Sequence, residues 1–467
     1  MVGVVVLRCA GQRFLHSCER HGGSNDVFFG GAGFVPDPDS DFGNGHTQMT
    51  VLIAGAGIGG LTLALSLHQI GVEALIVESV NELRPLGVGI NVLPHAGREL
   101  TELGLERALA ETAVPTSALA YFSKHGTPIW SEPRGVAAGY NWAQYSVHRG
   151  RLQMLLFEAA LERLGPQAFH FGQHLSGWQE SEGGVRINCR DRNRGDALCH
   201  HEGTLLVAAD GIHSAARAQF YPDEGAPRWD GAILWRGVTT TPAFLDGKTM
   251  AMVGHEHQKF VTYPITRPGA DGAPVLVNWI AELKFASDHQ WRREDWNRTG
   301  CVEDFLPSFA HWNFDWLDIP ALVRGADAIY EYPMVDRDPL PRWTHGRVTL
   351  LGDAAHPMYP IGSNGASQAI LDARVLTREL QTHGVQAQAL QAYEAERRPA
   401  TAQIVQANRR SGPDEILDLI ENRAPGGFAR VEDVASRDEC EAIAAKYRKI
   451  AGFDKDTLNS RASIVSR

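Results

Sequence analysis

Residues 49–79, MTVLIAGAGIGGLTLALSLHQIGVEALIVES, constrain the fold more than any other stretch. A short apolar run ends in Gly55, Gly57 and Gly60, spaced GxGxxG, and continues into an apolar helical segment and a second strand. Each glycine has its own reason. The first permits a tight turn, the second admits a pyrophosphate against the backbone, and the third brings helix and strand into close contact. Ile58 and Gly59 complete the turn. The helix start presents free N–H groups and a positive dipole end to phosphate. Glu78 closes the next strand, about 20 residues beyond the fingerprint, where an acid accepts ribose hydroxyls. A glycine-rich turn beside a surface glutamate would use the same letters, but strand, helix and acid together point to a bound dinucleotide.

The rest of the chain organises around that unit. Its 467 residues suggest two or three domains, with 43% apolar and 21% charged residues, as in ordinary globular proteins. Residues 1–48 are rich in Gly, Ser, Asp and Pro without periodicity and read as a disordered extension. Asp37, Asp39 and Asp41 imitate a calcium loop, but Phe42 and Gln48 stand where that loop needs Gly and an acid. The α/β texture covers 49–225 and returns over 336–412, so one discontinuous nucleotide-binding domain is expected. Within it, HRGRLQMLLFEAALERLG places Leu152, Leu155, Leu156 and Ala159 on one helical face. Between the two halves, 226–335 carries short alternating strands such as ILWRGVT and KFVTYPI, the pattern of an inserted, mostly antiparallel sheet. Residues 413–467 read as a charged helical tail.

A net charge of −11 argues against a nucleic-acid footprint. No apolar run approaches the length that spans a bilayer. MVGVVVLRCAG lacks the basic start and long apolar core of a signal peptide. The cysteines, at 9, 18, 189, 199, 301 and 440, show no zinc spacing and read as thiols of a reducing cytoplasm. No metal site is expected. His255 and His257 alternate on one strand without a third ligand, and Cys199, His200 and His201 sit in a polar turn with no partner motif.

TLLGDAAHPMYPIGSNGASQAI, residues 349–370, puts Asp353 at the mouth of a buried strand, where an unpaired carboxylate would cost several kcal/mol or so. LLVAADGIHSAAR, residues 205–217, ends a strand in Asp210 and Gly211. With the fingerprint, these stretches resemble the GD and DG motifs of the class A flavoprotein aromatic hydroxylases, the FAD monooxygenases similar to para-hydroxybenzoate hydroxylase. LRPLGVGINVLPHA, WRGVT and YPMVDRDPLPRW resemble the phenazine-carboxylate hydroxylases within that family, over about residues 50–412. The resemblance implies a Rossmann-type, glutathione reductase-like FAD domain. Asp353, after Gly352, would pair with the ribityl chain of FAD, and Asp210 would serve FAD and NADH or NADPH. Ser214 and Arg217 complete DGxxSxxR, although a helix cap explains Ser214 equally well. Arg149 would sit under the FAD, where an ordinary surface arginine would also fit. Gly365 would open a helix facing the isoalloxazine edge, and Pro357 would begin the loop bordering it.

The reaction so implied is hydroxylation of a planar aromatic or N-heteroaromatic acid, with or without decarboxylation, through a flavin hydroperoxide formed from O2. The cofactor carries that chemistry, so no strong acid–base constellation is expected. His356, just after the GD motif, is the one catalytic candidate, and a histidine held by backbone bonds would look the same. Trp235, Arg236 and Tyr263 are the candidates for gripping the ring, Arg236 as a carboxylate anchor. The rival readings are a flavin dehydrogenase or oxidase that inserts no oxygen, and a flavin-binding protein used for regulation. Neither GxSxG nor FxGxxxHxxxW occurs.

Overall fold

The computed structural model describes residues 49–269, 272–286 and 298–466. The expectation for 1–48 lies outside the described residues.

The run TVLIA forms the strand Thr50–Ala54, with Val51, Leu52 and Ile53 fully buried. A strand covered on both faces belongs in a parallel sheet. Five parallel strands lie in the order Val348–Leu350, Leu205–Ala208, Thr50–Ala54, Glu73–Glu78, Phe169–Phe171. Numbered along the chain this is 5-4-1-2-3, the doubly wound arrangement. Its topological switch point falls between Thr50–Ala54 and Leu205–Ala208, and ligands of such sheets bind beyond the carboxyl ends there. The helices Ile58–Gln69, Arg149–Leu164 and Gly365–His383 cover the sheet. In the second of these Leu152, Leu155, Leu156 and Ala160 are buried and Ala159 is half-buried, one step from the expected face.

A seven-stranded sheet runs Ala326–Asp336, Arg228–Thr241, Val275–Lys284, Gln258–Pro264, Thr249–His255, Ala118–Phe122, Pro128–Pro133. All neighbours are antiparallel except Thr249–His255 with Ala118–Phe122. The sheet therefore extends beyond 226–335 and takes two strands from the amino-terminal half. Its two faces alternate along each strand. One face carries Trp235, Phe260 and Trp279 into an aromatic core with Phe305 and Phe309. The other carries Arg236, Val261 and Tyr263 toward a cavity. Cys199, His200 and His201 lie in the edge strand Ala197–Gly203 of a separate three-stranded sheet, not in a turn.

The segment 413–467 is helical as expected, but it is no loose tail. Ile416, Leu417 and Ile420 are at most 2% exposed and pack against Met252 and Tyr263, while Ile464 and Val465 join the core of the parallel-sheet unit. Among the described residues no helix is long and apolar enough to cross a membrane.

This packing creates a pH dependence. His95 is fully buried, stacks on Phe453 at 5.4 Å and lies 3.4 Å from the Gln368 amide nitrogen. Burial, then Arg397 and Arg461, lower its pKa to about 3 from 6.5. The unfolded chain thus binds the proton first, and stability falls as pH drops below the unfolded value. Between pH 7 and pH 5 this histidine alone should cost about 2 kcal/mol. Urea denaturation at both values should show the loss in wild type and a smaller one in His95→Gln. Equal losses would assign the acid sensitivity elsewhere.

Candidate active site

A cavity of about 360 Å³ opens at the switch point. Gly57, Ile58, Gly59, Ala209, Gly211, Gly352 and Asp353 line it from the parallel-sheet side. The glycines divide their tasks as the fingerprint requires. Gly55 has φ +105°, and a Cβ on it would lie 2.4 Å from the Ala209 carbonyl oxygen. A Cβ on Gly60 would lie 2.0 Å from the Gly55 carbonyl oxygen. A Cβ on Gly57 would meet no atom within 4 Å, so the space against its backbone is open to a ligand.

Glu78 holds this turn directly. Its Oε2 accepts the Ala56 N–H at 2.8 Å and its Oε1 accepts the Val80 N–H at 2.9 Å. Glu78→Ala should therefore loosen the turn and weaken FAD binding by about 1–3 kcal/mol, the range for charge-assisted hydrogen bonds. Retention of FAD through dialysis at the wild-type level would remove Glu78 from the site.

The DG and GD segments meet. Asp210 accepts the Ala215 N–H at 2.8 Å through Oδ2, while its buried Oδ1 has no partner. Burial raises its pKa, against the hydrogen bonds that lower it. Ser214 caps the helix Ala215–Phe220 by accepting the Arg217 N–H, so the capping reading describes it. Arg217, 1% exposed, donates to the Ala354 and Ala355 carbonyls at 3.1 and 3.0 Å and so ties the DG helix to the GD turn.

Asp353 opens on the cavity. Enclosure by the protein raises its pKa, opposed by the charges of His356 and Arg149. Arg149 begins its helix, donates its backbone N–H to the Val88 carbonyl at 2.9 Å and lines the same cavity. Gly365 begins the helix Gly365–His383 on the cavity wall.

Three expectations are corrected. His356 does not line the cavity. It is 3% exposed, its Nε2 lies 2.5 Å from Asp372 Oδ2, and its ring packs beside Trp343. The same carboxylate accepts the Gly352 N–H at 3.1 Å and Arg397 Nε at 2.7 Å, so His356 belongs to a framework that fixes the GD turn. Trp235 faces away from the cavity and stacks on Phe305 at 4.9 Å, because strand alternation gives the cavity face to its neighbours Leu234 and Arg236. Pro357 is buried behind the wall, which Met358, Pro360 and Ile361 form instead.

Arg236 and Tyr263 do reach the cavity. Arg236 Nη2 donates to the Gly89 carbonyl at 2.8 Å, and the Asn278 amide oxygen accepts the Gly89 N–H at 2.7 Å. Burial pushes the Tyr263 hydroxyl up to about 12, with Arg236 working against it. Sequence reasoning missed Lys259, whose Nζ lies 2.6 Å from Asp414 and 3.2 Å from Glu282 on the wall. Period-two counting back from Tyr263 reaches it. It also missed Arg134, Tyr447 and Phe453, which no local pattern marks. Among the described residues no group of three or more His, Cys, Asp or Glu is placed to hold a metal.

Open space against Gly57, an unpartnered Asp210 oxygen and a helix start at Gly365 suit a dinucleotide with a phosphate bridge and polar hydroxyls. The family model described as FAD binding domain matches residues 48–408. The chain belongs to that family. Its cofactor is FAD and its reaction class is that of the FAD-dependent monooxygenases of aromatic rings. It is 48% identical over 365 residues to the phenazine 1,6-dicarboxylic acid hydroxylase of Lysobacter antibioticus, covering 78% of this chain and 90% of that one. A 3-amino-4-hydroxybenzoate 2-monooxygenase of Streptomyces platensis is 30% identical over 397 residues, 82% and 94% of the two chains. A salicylate hydroxylase substrate complex shares the fold, with TM-score 0.67 at 23% identity over 89% of this chain and 98% of that one.

Proposed function

We propose that this FAD-dependent monooxygenase hydroxylates a planar aromatic carboxylate, with an N-heteroaromatic acid of the phenazine carboxylate kind as first substrate. The observation that carries the reading is one cavity that joins the glycine turn to the apolar sheet face of Leu234, Met252, Val261 and Ile280. A flat ring slides into such a slot, and an acid group needs a cation there. The two relatives named above act on ring carboxylates, one of them a phenazine dicarboxylic acid.

Gly55, Gly57, Ile58, Gly59, Gly60 and Glu78 would hold the adenosine diphosphate part of FAD. Asp210, Gly352, Asp353, Arg149 and Gly365 would hold the remainder. Bound FAD, reduced by NADH or NADPH, supplies the transfer of one oxygen atom of O2 to the ring. The chain positions the ring, excludes water and fixes the start of the strand Gly89–Val92 from the sheet through Arg236 and Asn278. The N-terminus of the helix Gly365–His383 places a positive dipole end on the cavity, which favours negative charge there. The parallel-sheet unit, 49–225 with 336–412, is assigned to the cofactor and the seven-stranded sheet to the substrate. A cytoplasmic location accords with four free thiols among the described residues and with the need for NADH or NADPH.

The test is to titrate phenazine-1-carboxylate, salicylate and 3-hydroxybenzoate into the holoenzyme with NADH or NADPH under labelled O2. The expected result is faster NADH or NADPH loss with one of these acids and a product that carries labelled oxygen. Product without the label would favour the dehydrogenase or oxidase. Stimulation only by non-aromatic compounds would discard the aromatic acid.

A further inference from the structure

We propose that Tyr447 is a positioning residue for oxygen transfer: its hydroxyl locks the cavity loop 361–364, and releasing that lock diverts reduced oxygen from the ring to hydrogen peroxide. This role rests on the oxygen-transfer reading above and is the same for any ring acid. Tyr447 stands on the helix Arg437–Ile450, beyond residue 408, where the family match stops. It is 4% exposed and lines the cavity together with Ile361, Gly362, Ser363 and Asn364.

The hydroxyl is fully engaged. It accepts the Asn364 side-chain N–H at 2.8 Å, and it lies 2.8 Å from Asn408 Oδ1 and 3.2 Å from the Ile361 carbonyl oxygen. A phenol has one proton to give, and the shorter contact takes it. Burial pushes the hydroxyl's pKa up, so that proton stays in place at neutral pH. Asn408 ends the helix Ala387–Asn408, and Asn364 precedes the helix Gly365–His383, so one hydroxyl joins three helices. Asn364 is fully buried and gives its amide to Tyr447 without capping its own helix. Gln368 continues the network: its Nε2 donates to Asn364 Oδ1 at 3.2 Å, and its Oε1 accepts Arg397 Nη2 at 2.6 Å. Arg397 is the partner of Asp372, the carboxylate that receives the Gly352 N–H. The stretch from Gly352 to Asn364 is thus held at both ends, by Asp372 at its start and by Tyr447 at its close.

The loop's conformation needs holding. Gly362 has φ +68° and Ser363 φ +57°. A serine adopts that left-handed backbone only at a cost, and such strain persists where the surroundings over-determine it. The lock is close, since a Cβ on Gly362 would lie 2.0 Å from the Tyr447 hydroxyl oxygen. The loop is also cavity wall, so its opening admits water beside the reacting ring. A hydride from NADH or NADPH, one proton and O2 have two balanced outcomes there. In the first, one oxygen atom enters a ring C–H bond and the other leaves as water. In the second, no ring bond forms and both oxygen atoms leave as hydrogen peroxide. A held loop favours the first outcome and a loose one the second.

The experiment uses Tyr447→Phe, which removes the hydroxyl and keeps the ring. The holoenzyme should retain stoichiometric FAD and lose only a few degrees of melting temperature. Hydrogen exchange followed by mass spectrometry should show peptides across 358–366 exchanging roughly fivefold faster, the population shift that one hydrogen bond controls. Phenazine-1-carboxylate, salicylate and 3-hydroxybenzoate are then supplied with NADH or NADPH. With the acid that wild type oxygenates, the variant should consume the nicotinamide at nearly the wild-type rate, form less product per NADH or NADPH, and release the difference as hydrogen peroxide. Gly362→Ala breaks the same contact from the loop side and should move both readouts in the same direction. Tyr221→Phe is the control. It loses a hydroxyl bond of 2.7 Å to the Arg342 carbonyl, off the cavity, and should leave loop exchange and peroxide yield unchanged. Unchanged loop exchange in Tyr447→Phe, or faster exchange with wild-type product per NADH or NADPH, would overturn the positioning role. If Tyr447→Phe cannot hold FAD, Gly362→Ala decides, and loss of FAD by both would assign the tyrosine to the fold alone. If wild type oxygenates none of the three acids, the hydroxylation reading fails separately, and loop exchange with substrate-free peroxide yield decides the lock.

Discussion

Gly57→Glu should give a folded protein without colour. Gly57 has φ −74° and ψ −179°, backbone that any residue adopts. A Cβ there meets no protein atom, so the substitution fits the chain. The space it fills is the place proposed above for the pyrophosphate, and its charge would oppose phosphates at the helix N-terminus. FAD affinity should fall at least roughly 100-fold, about 3 kcal/mol. The melting temperature of the FAD-free form should stay near that of FAD-free wild type. Gly60→Ala supplies the contrast. Its Cβ would press on the Gly55 carbonyl oxygen at 2.0 Å, and backbone must shift to admit it. That variant should lose stability even without FAD. Stoichiometric yellow Gly57→Glu protein would show that the cofactor's phosphates lie elsewhere.

Asp372→Ala should cost about 3–5 kcal/mol, as expected when one partner of a buried ion pair is removed. Its carboxylate is fully buried and receives Arg397 Nε, His356 Nε2 and the Gly352 N–H. Burial alone would raise its pKa, but His356 and Arg397 hold it at about 2. The sign follows: the unfolded chain takes the proton first, so this contribution is complete above about pH 4 and is lost toward pH 2. Urea denaturation of wild type and Asp372→Ala across that range should converge as the acid form takes over. A loss below about 1 kcal/mol at pH 7 would mean that Arg397 finds another partner. Because Gly352 hangs on the same carboxylate, the variant should also release FAD more readily.

The parallel-sheet unit was legible because its signals are local. GxGxxG, Glu78, Asp210 and Asp353 each end a strand, and the fold brings those strand ends to one switch point. The sheet face was less legible. Trp235 and Arg236 are adjacent on one strand, so only one of them can face the cavity. The sequence reading named both, and packing against Phe305 took the tryptophan to the other side. His356 was misread for a related reason. Its partners, Asp372 and, through that carboxylate, Arg397, lie one and two helical segments downstream, and nothing near it in sequence announces them. Arg134, Tyr447 and Phe453 come from an edge-strand loop and from a segment read as a charged tail. Their meeting is a tertiary event, invisible to periodicity.

The position of Tyr447 and Phe453 on the cavity wall has a consequence for biosynthesis. Both residues leave the ribosome after every strand of the two large sheets. A nascent chain can therefore assemble its glycine turn and both sheets while one side of the pocket still gapes to solvent. Translation order makes closure of that side the last step, and a stop codon after Leu350 but before Tyr447 leaves a chain with every strand of both sheets and a pocket that lacks a wall.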